Sequence, residues 1–471
     1  MTSPDPPNRV TRRRFLADIG AGAAVLTLGR SLLRADAPTN PPGRRVLVIG
    51  AGMAGLSAAK DLKARGFDVI VIEGRDRIGG RVRTVDLAGQ AIDLGAQWIE
   101  GARRNPMFDM CKANGIRTVR TDYNSDTVYD IDGRQIDSKT EDRLYSRALK
   151  MIRDTQKIND DRLSQGLDDI TLAQALAPAL ATIQTPRNRR FMRWALAWEI
   201  ESDEGDDLKF LSLKNYWDEE ENSHPLGGEI LSIPGGYGQI AQLMSAGLDI
   251  RLNQVVTSIE YDNTSVTVMT DNGQFHGDYA VVTLPLGVLK AGSVAFTPAL
   301  PESKLDAIQH LNMGSADKVV LRFPEIFWPD TEFLGYTSDT PGQFVEWTNL
   351  ARSTSAPILS LWSHGDYSRQ FEKLTDAQCV AQAMEVIRKI FGETVADPVA
   401  FRITRWSSDP LSRGSYSAMG AGSSPADFDV MAEPVGGRLF FAGEATLNDN
   451  HSTVHGAYFS GKREAARIAA I

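Results

Sequence analysis

Apolar runs punctuate the chain at residues 46–49, 69–72, 280–284 (interrupted only by Thr283) and 439–442. Runs of this length without alternation predict strands buried on both faces, as in a parallel sheet covered by helices. Between the first two runs, residues 53–65 have helical spacing, and Gly66 follows as a stop. From about 141 to 198 apolar positions again recur at helical spacing with few breakers. Residues 250–282 read instead as a series of strands, with Asp262-Asn263 and Asp271-Asn272-Gly273 as turns. Residues 311–323 and 358–362 predict a second sheet beside a helix over 375–391, and 453–468 predicts a closing helix. The pattern is that of an α/β protein. Its parallel sheet comes in separated pieces, with a mixed sheet and helices inserted between them.

The join between the first two runs carries chemistry. Gly50, Gly52 and Gly55 stand in G-x-G-x-x-G spacing between strand and helix. The first allows the tight turn, the second lets a pyrophosphate approach the backbone, and the third lets helix and strand pack closely. The helix N-terminus adds unpaired N–H donors and a partial positive charge. Glu73 ends the second run, placed to accept hydrogen bonds from a ribose diol, which argues against a 2′-phosphate and hence against NADP. Arg75, Gly79, Gly80 and Arg81 then form a second glycine–arginine turn. Such a turn suits a cofactor buried along its length, which favours FAD over NAD.

Length and composition narrow the class. With 471 residues, 42% of them hydrophobic, the chain can bury a large core and divide into two domains. A net charge of −9 disfavours nucleic acid and suits cationic ligands. Two cysteines, Cys111 and Cys379, make no disulfide framework, and six scattered histidines predict no metal site. The acids of 199–221, namely Glu199, Glu201, Asp203, Glu204, Asp206, Asp207 and Asp218 to Glu221, read by default as a solvated face.

Thr11-Arg12-Arg13-Arg14-Phe15-Leu16 is a twin-arginine pattern. The apolar stretch after it, 19–33, is interrupted by Arg30 and is too short and glycine-rich for a stable membrane span. Residues 1–37 are therefore expected to be a twin-arginine export signal, the alternative being a disordered basic tail. The expected location is the periplasm or the exterior, after transient contact with the export machinery. Ala35-Asp36-Ala37 resembles a cleavage site, although Pro38 is a poor neighbour for one, and 38–43 is a linker.

Four stretches join the opening motif: Leu94-Gly-Ala-Gln-Trp-Ile-Glu-Gly101; Gly314-Ser-Ala-Asp-Lys318; Arg405-Trp406 with Gly414-Ser-Tyr416-Ser; and Leu439-Phe-Phe-Ala-Gly-Glu444 with Ser452-Thr453-Val454-His455-Gly456-Ala457. With them the chain resembles the flavin amine oxidases from Arg44 to its C-terminus, and within these the polyamine oxidases, a group that includes the histone-demethylase branch. The resemblance implies a fold of p-hydroxybenzoate-hydroxylase type. An FAD-binding Rossmann-like domain would comprise 44–125, 228–300 and 400–471, and an inserted α+β substrate-binding domain 126–227 and 301–399. FAD would be held by Gly50, Gly52, Met53, Ala54, Gly55 and Glu73, and by Arg75, Gly80 and Arg81. Ala96, Gln97, Trp98, Val255, Trp406, Glu444, Thr453 and Val454 would complete its site. Ser415 stands where covalently flavinylated monoamine oxidases carry cysteine, which implies non-covalent FAD.

The same resemblance implies roles. By pattern alone Lys318 is a solvated lysine; by resemblance it hydrogen-bonds a water beside flavin N5 and assists reoxidation by O₂. Tyr416 and Trp406 would wall the active site. Thr453 takes the place of a second cage ring, which resembles the polyamine and demethylase branches more than a monoamine oxidase. Glu100 would face the substrate tunnel and hold a distal ammonium, so Glu100, Tyr416 and Thr453 are the expected substrate contacts. The implied activity is oxidation of a small cationic amine of spermine or spermidine type. Hydride passes to flavin N5, O₂ becomes H₂O₂, and an aldehyde and an amine leave. A monoamine or L-amino-acid oxidase, or a flavin-bound module without turnover, stays open as an alternative. An amino-acid oxidase would need an arginine for the substrate carboxylate, where this loop offers Glu100.

Overall fold

The structure, a computed structural model, describes residues 43–222 and 226–471. The expected export signal and all but the last residue of the linker lie outside the described residues, as do the side chains of Glu219, Glu220 and Glu221.

Five parallel strands form the first sheet, in the order Leu439–Phe441, Tyr279–Val282, Arg45–Ile49, Asp68–Ile72, Asp249–Arg251. The central strand is buried from Val46 to Ile49, as its unbroken apolar run requires. Helix Met53–Ala64 and the closing helix Val454–Ala469 pack together beside it. Their approach is so close that a Cβ on Gly461 would lie 2.2 Å from the Ala54 carbonyl oxygen.

The second sheet has six strands, in the order Ala400–Ile403, Ala316–Arg322, Ile358–His364, Glu346–Asn349, Phe333–Thr337, Asp126–Asp130. All neighbours are antiparallel except the last pair. Helices Ser138–Ser164, Leu172–Ala181 and Pro186–Leu196 share one core with Val128 and Phe333 of this sheet, and helix Asp376–Phe391 shares another with Val319, Leu321 and Leu359.

The expected boundaries shift in two places. Strand Ala400–Ile403 pairs with Ala316–Arg322, so it belongs to the second sheet rather than to the nucleotide unit. Helix Glu302–His310 buries Ala307 and Ile308 in the core built on Leu47, Ile49 and Val282, and so belongs to the nucleotide unit. Strand Phe333–Thr337 lies outside the predicted elements and carries Gly335, a residue that weakens a strand pattern. The Trp194 ring takes the space instead: a Cβ on Gly335 would come to 2.5 Å from it.

The acidic run is not a solvated face. Glu199, Glu201, Glu204, Asp206 and Asp207 are buried. Asp206 receives both arms of Arg369, at 2.9 and 2.6 Å, and Asn312 at 2.8 Å. Glu199 accepts from the Tyr145 hydroxyl, Glu201 from the Leu208 amide and Asp207 from the Asp366 amide. Glu199, Glu201, Asp206 and Asp207 tolerate burial because each has donors. Among the described residues no helix is long and apolar enough to cross a membrane, and no group of side chains could hold a metal.

Candidate active site

A cavity of about 540 Å³ opens at the carboxyl ends of the parallel strands, where Gly50, Glu73, Thr283 and Gly443 follow them, and extends to the second sheet. This is the place where open α/β sheets bind ligands.

The glycine motif lines one end. Gly50 has φ of 105°, and its amide donates to the Ile72 carbonyl at 2.8 Å, closing the turn. Gly55 is the one expected cofactor residue behind the wall: a Cβ there would lie 1.9 Å from the Gly50 carbonyl oxygen. Gly52 differs, because a Cβ there would meet no protein atom within 4 Å. That opening, beside Met53 and Ala54 at the helix N-terminus, is shaped for a phosphate group. Glu73 is buried and accepts from the amides of Ala51 at 2.7 Å and Arg75 at 2.8 Å. Each carboxylate oxygen keeps acceptor capacity for a diol. Gly80 packs on this turn, since its Cβ would stand 3.3 Å from the Gly52 Cα. The Arg75 side chain reaches Asp409 and Ser412, both at 2.8 Å, and Val255 lies across the cavity wall.

Lys318 anchors the middle. It sits in strand Ala316–Arg322, 2% exposed, and its Nζ donates to Asp93 O at 3.0 Å, Gly95 O at 2.8 Å and Gln97 Oε1 at 3.0 Å. The face of Trp362 lies 4.0 Å below it. Three acceptors and a ring face hold an ammonium here rather than a solvated side chain. Burial nevertheless pushes the Lys318 pKa down, opposed by the carboxylates of Asp93 and Glu346. Ala96, Gln97 and Trp98 line the same stretch of wall, and Trp406 covers it, its ring 3.4 Å from where a Gly95 Cβ would stand.

Tyr416 and Glu100 lie on the wall beyond Lys318. The Tyr416 hydroxyl donates to Ser202 O at 2.8 Å. Ser202 follows a π-helical turn, Ala197–Glu201, and the segment ends at Gly205 with φ of 68°. A Cβ on Gly205 would come to 2.7 Å from the Tyr416 ring, so a single wide turn sets the ring's seat. The turn also brings Asp203 and Glu204 to the cavity wall. Sequence reasoning missed these two, along with Trp362, because the acids read as a solvated run and the indole only as the end of a strand. Glu201, behind them, has its pKa raised by burial to about 8.

Glu444, Thr453 and Val454 close the site. Glu444 is buried, yet its pKa is lowered: burial pushes it up, and Arg81 with Ser417 more than offset this. It accepts from Arg81 at 2.8 Å, Ser417 Oγ at 2.5 Å and the Ser452 amide at 3.0 Å. Thr453 caps the closing helix, accepting from the Gly456 amide at 2.9 Å, so the helix N-terminus meets the cavity. His455, one residue inside that helix, is held neutral by burial, with its pKa down to about 4. Ser415 is on the wall, whereas Cys111 and Cys379 are buried elsewhere.

A dinucleotide cradle running into a pocket with an ammonium, a tyrosine and carboxylates is the architecture of a flavin-dependent oxidoreductase. The chain belongs to the flavin containing amine oxidoreductases, whose family model matches residues 53–469, and its cofactor is FAD. It is 35% identical over 438 residues to polyamine oxidase 4 of Oryza sativa subsp. japonica, covering 90% of this chain and 87% of that one. It is also 35% identical over 443 residues to lysine-specific histone demethylase 1 homolog 3 of Oryza sativa subsp. indica. There it covers 90% of this chain but 54% of the relative, so the chain spans about half the length of that relative. Wild-type putrescine oxidase bound to putrescine shares the fold, with a TM-score of 0.74 at 20% identity over 91% of this chain and 99% of that one.

Proposed function

We propose that this chain oxidises a polyamine of spermine or spermidine type at a carbon–nitrogen bond. The observation that carries this is the grouping of Glu100, Asp203 and Glu204 on the wall of the cavity that also holds Lys318 and Tyr416. Several carboxylates in one pocket suit a substrate with several ammonium groups. The names of the rice polyamine oxidases and of putrescine oxidase support the same substrate class. Non-covalent FAD, supported by Ser415 at the wall, supplies the hydride acceptor and the centre that O₂ reoxidises.

The protein's own share is binding, orientation and charge. The reacting nitrogen must be neutral, because a protonated nitrogen has no electron pair with which to expel hydride from its α-carbon. The carboxylates hold a distal ammonium and leave the reacting nitrogen to the part of the cavity beside Tyr416. Lys318 places a positive charge where oxygen gains electrons.

The test is anaerobic mixing of the yellow protein with spermine, spermidine, putrescine, phenylethylamine and an N-methylated lysine peptide. Bleaching by a polyamine but not by phenylethylamine supports the reading. Bleaching by the peptide alone would move the substrate to the demethylase branch, and no bleaching by any amine would overturn the assignment.

Residues 1–37 are proposed to direct export of the folded protein by the twin-arginine route, on the strength of Arg12 and Arg13 before Phe15 and Leu16. Replacing both arginines by lysine is expected to leave the protein in the cytoplasmic fraction of a host that exports the unaltered chain; unchanged export would overturn this.

A further inference from the structure

Two stacked indoles on the cavity wall lead to a tyrosine near the surface. Trp98 and Trp362 both line the cavity, with ring centroids 5.6 Å apart and planes 19° from parallel. The ring of Trp98 also lies 6.1 Å from that of Tyr123, which is half-buried and stands outside the cavity wall. Aromatic rings in such contact are ordinarily packing. Here the neighbours give the row a direction.

Lys318 Nζ sits 4.0 Å over the Trp362 ring. A cation held on a ring face makes it harder to take an electron from that ring. Of the stacked pair, Trp98 is therefore the easier to oxidise, and Trp98 is the one that meets Tyr123. A second branch leads inward, from Trp98 through Phe333 to Trp198 and Trp194, with centroids 6.3, 5.5 and 5.6 Å apart in turn. Phe333 closes that branch, because a bare phenyl ring holds its electrons far more tightly than an indole or a phenol. Tyrosine gives up its phenolic proton when oxidised, and Tyr123 is only half-buried, where the proton can pass to solvent.

We propose that Trp98 and Tyr123 form an escape route that carries an electron vacancy from the flavin cavity to the surface. Its purpose rests on the oxidase reading above: turnover releases peroxide, which a one-electron reductant such as free ferrous iron splits into hydroxide and a hydroxyl radical, the iron becoming ferric. Such an oxidant takes one electron from Trp98 and leaves as hydroxide. Tyr123 returns one electron to the Trp98 radical cation and one proton to water. An external thiol then restores Tyr123 by giving it a hydrogen atom, and two thiyl radicals pair as a disulfide. The vacancy thus ends on a replaceable surface reductant and spares Lys318, Gln97 and the flavin.

The experiment needs no amine, so its failure is separate from failure of the polyamine reading. Blue flashes on the FAD-loaded protein supply a one-electron oxidant in the same cavity, and transient absorption reads where the vacancy goes. Wild type is expected to show a long-lived neutral tyrosyl radical. Tyr123→Phe is expected to lose that signal while a short-lived tryptophan radical persists, and Trp98→Phe to lose both. A tyrosyl signal that survives in Tyr123→Phe, or no protein radical in wild type, would overturn the route. As a second readout, Tyr123→Phe is expected to lose flavin absorbance sooner than wild type under added peroxide and ferrous iron. Equal loss rates would overturn the protective role.

Discussion

Arg81 donates to Glu444 at 2.8 Å across 363 residues of sequence, joining the second glycine turn to the end of the last strand of the parallel sheet. Glu444 also receives Ser417, next to Tyr416, and Ser452, next to the helix cap. One carboxylate therefore ties the cofactor end of the cavity to its substrate end. Breaking a buried pair costs about 3–5 kcal/mol. Arg81 is 23% exposed, so Glu444→Gln is expected near the low end, about 3 kcal/mol, in urea titrations at neutral pH. Its folded pKa lies below the ordinary value, so its contribution is complete above the unfolded pKa of about 4.3 and is lost as pH falls through the folded one. The gap between wild type and variant should therefore narrow in acid; a gap independent of pH would remove the charge from the account.

Gly52 and Gly55 separate binding from folding. At Gly52 the backbone, φ −74° and ψ 179°, suits any residue, and the side-chain direction is open cavity. Gly52→Ala is expected to keep the urea midpoint of the apoprotein within about 0.5 kcal/mol of wild type while weakening FAD, read by flavin fluorescence quenching. Gly55→Ala must displace the Gly50 carbonyl oxygen and is expected to lose about 1–3 kcal/mol or more of apoprotein stability. Equal effects on both measurements at both positions would contradict the assignment.

Lys318→Met removes the ammonium from the cavity. Flavin reduction by an amine is expected to slow little, and reoxidation by O₂ to slow about 10²–10³-fold, the scale of losing one preorganised electrostatic group. Burial depresses the Lys318 pKa, so wild-type reoxidation should slow as pH rises, well before the ordinary lysine value of about 10.4. The variant should lack this slope. Stopped-flow traces of both half-reactions check the point.

Glu100→Gln tests the distal contact. A hydrogen bond to a charged group contributes about 1.5–3 kcal/mol, so the KM for spermine should rise at least about tenfold. The KM for a monoamine should stay close to wild type, and kcat for both should change little. Equal increases for both substrates would take Glu100 out of recognition.

What was legible in the sequence was local. The turn from Gly50 to Gly55 and the acid at Glu73 act within one strand–helix–strand unit, so their spacing announces them. The acids at 199–207 were not legible, because whether Asp206 is solvated depends on Arg369 and Asn312, more than a hundred residues on. Lys318 is the intermediate case. A lone lysine in an apolar strand pattern reads as exposed, and only the carbonyls of Asp93 and Gly95, on a different segment, make a buried ammonium tolerable. Strand Phe333–Thr337 is a further case: Gly335 interrupts its pattern in the sequence, and only the distant Trp194 ring fills the gap.

The parallel sheet has a consequence for biosynthesis. Its second-placed strand, Tyr279–Val282, waits for an edge partner, Leu439–Phe441, that is made roughly 160 residues later, or roughly 8–30 s at ordinary translation speeds. Helix Met53–Ala64 waits longer still for Val454–Ala469. The first domain begun is thus the last finished, and the nascent chain must keep its oldest strands from other partners until the ribosome has nearly let go. Flavin loading becomes a checkpoint at the end of synthesis, and a chain cut short by a single helix would never pass it.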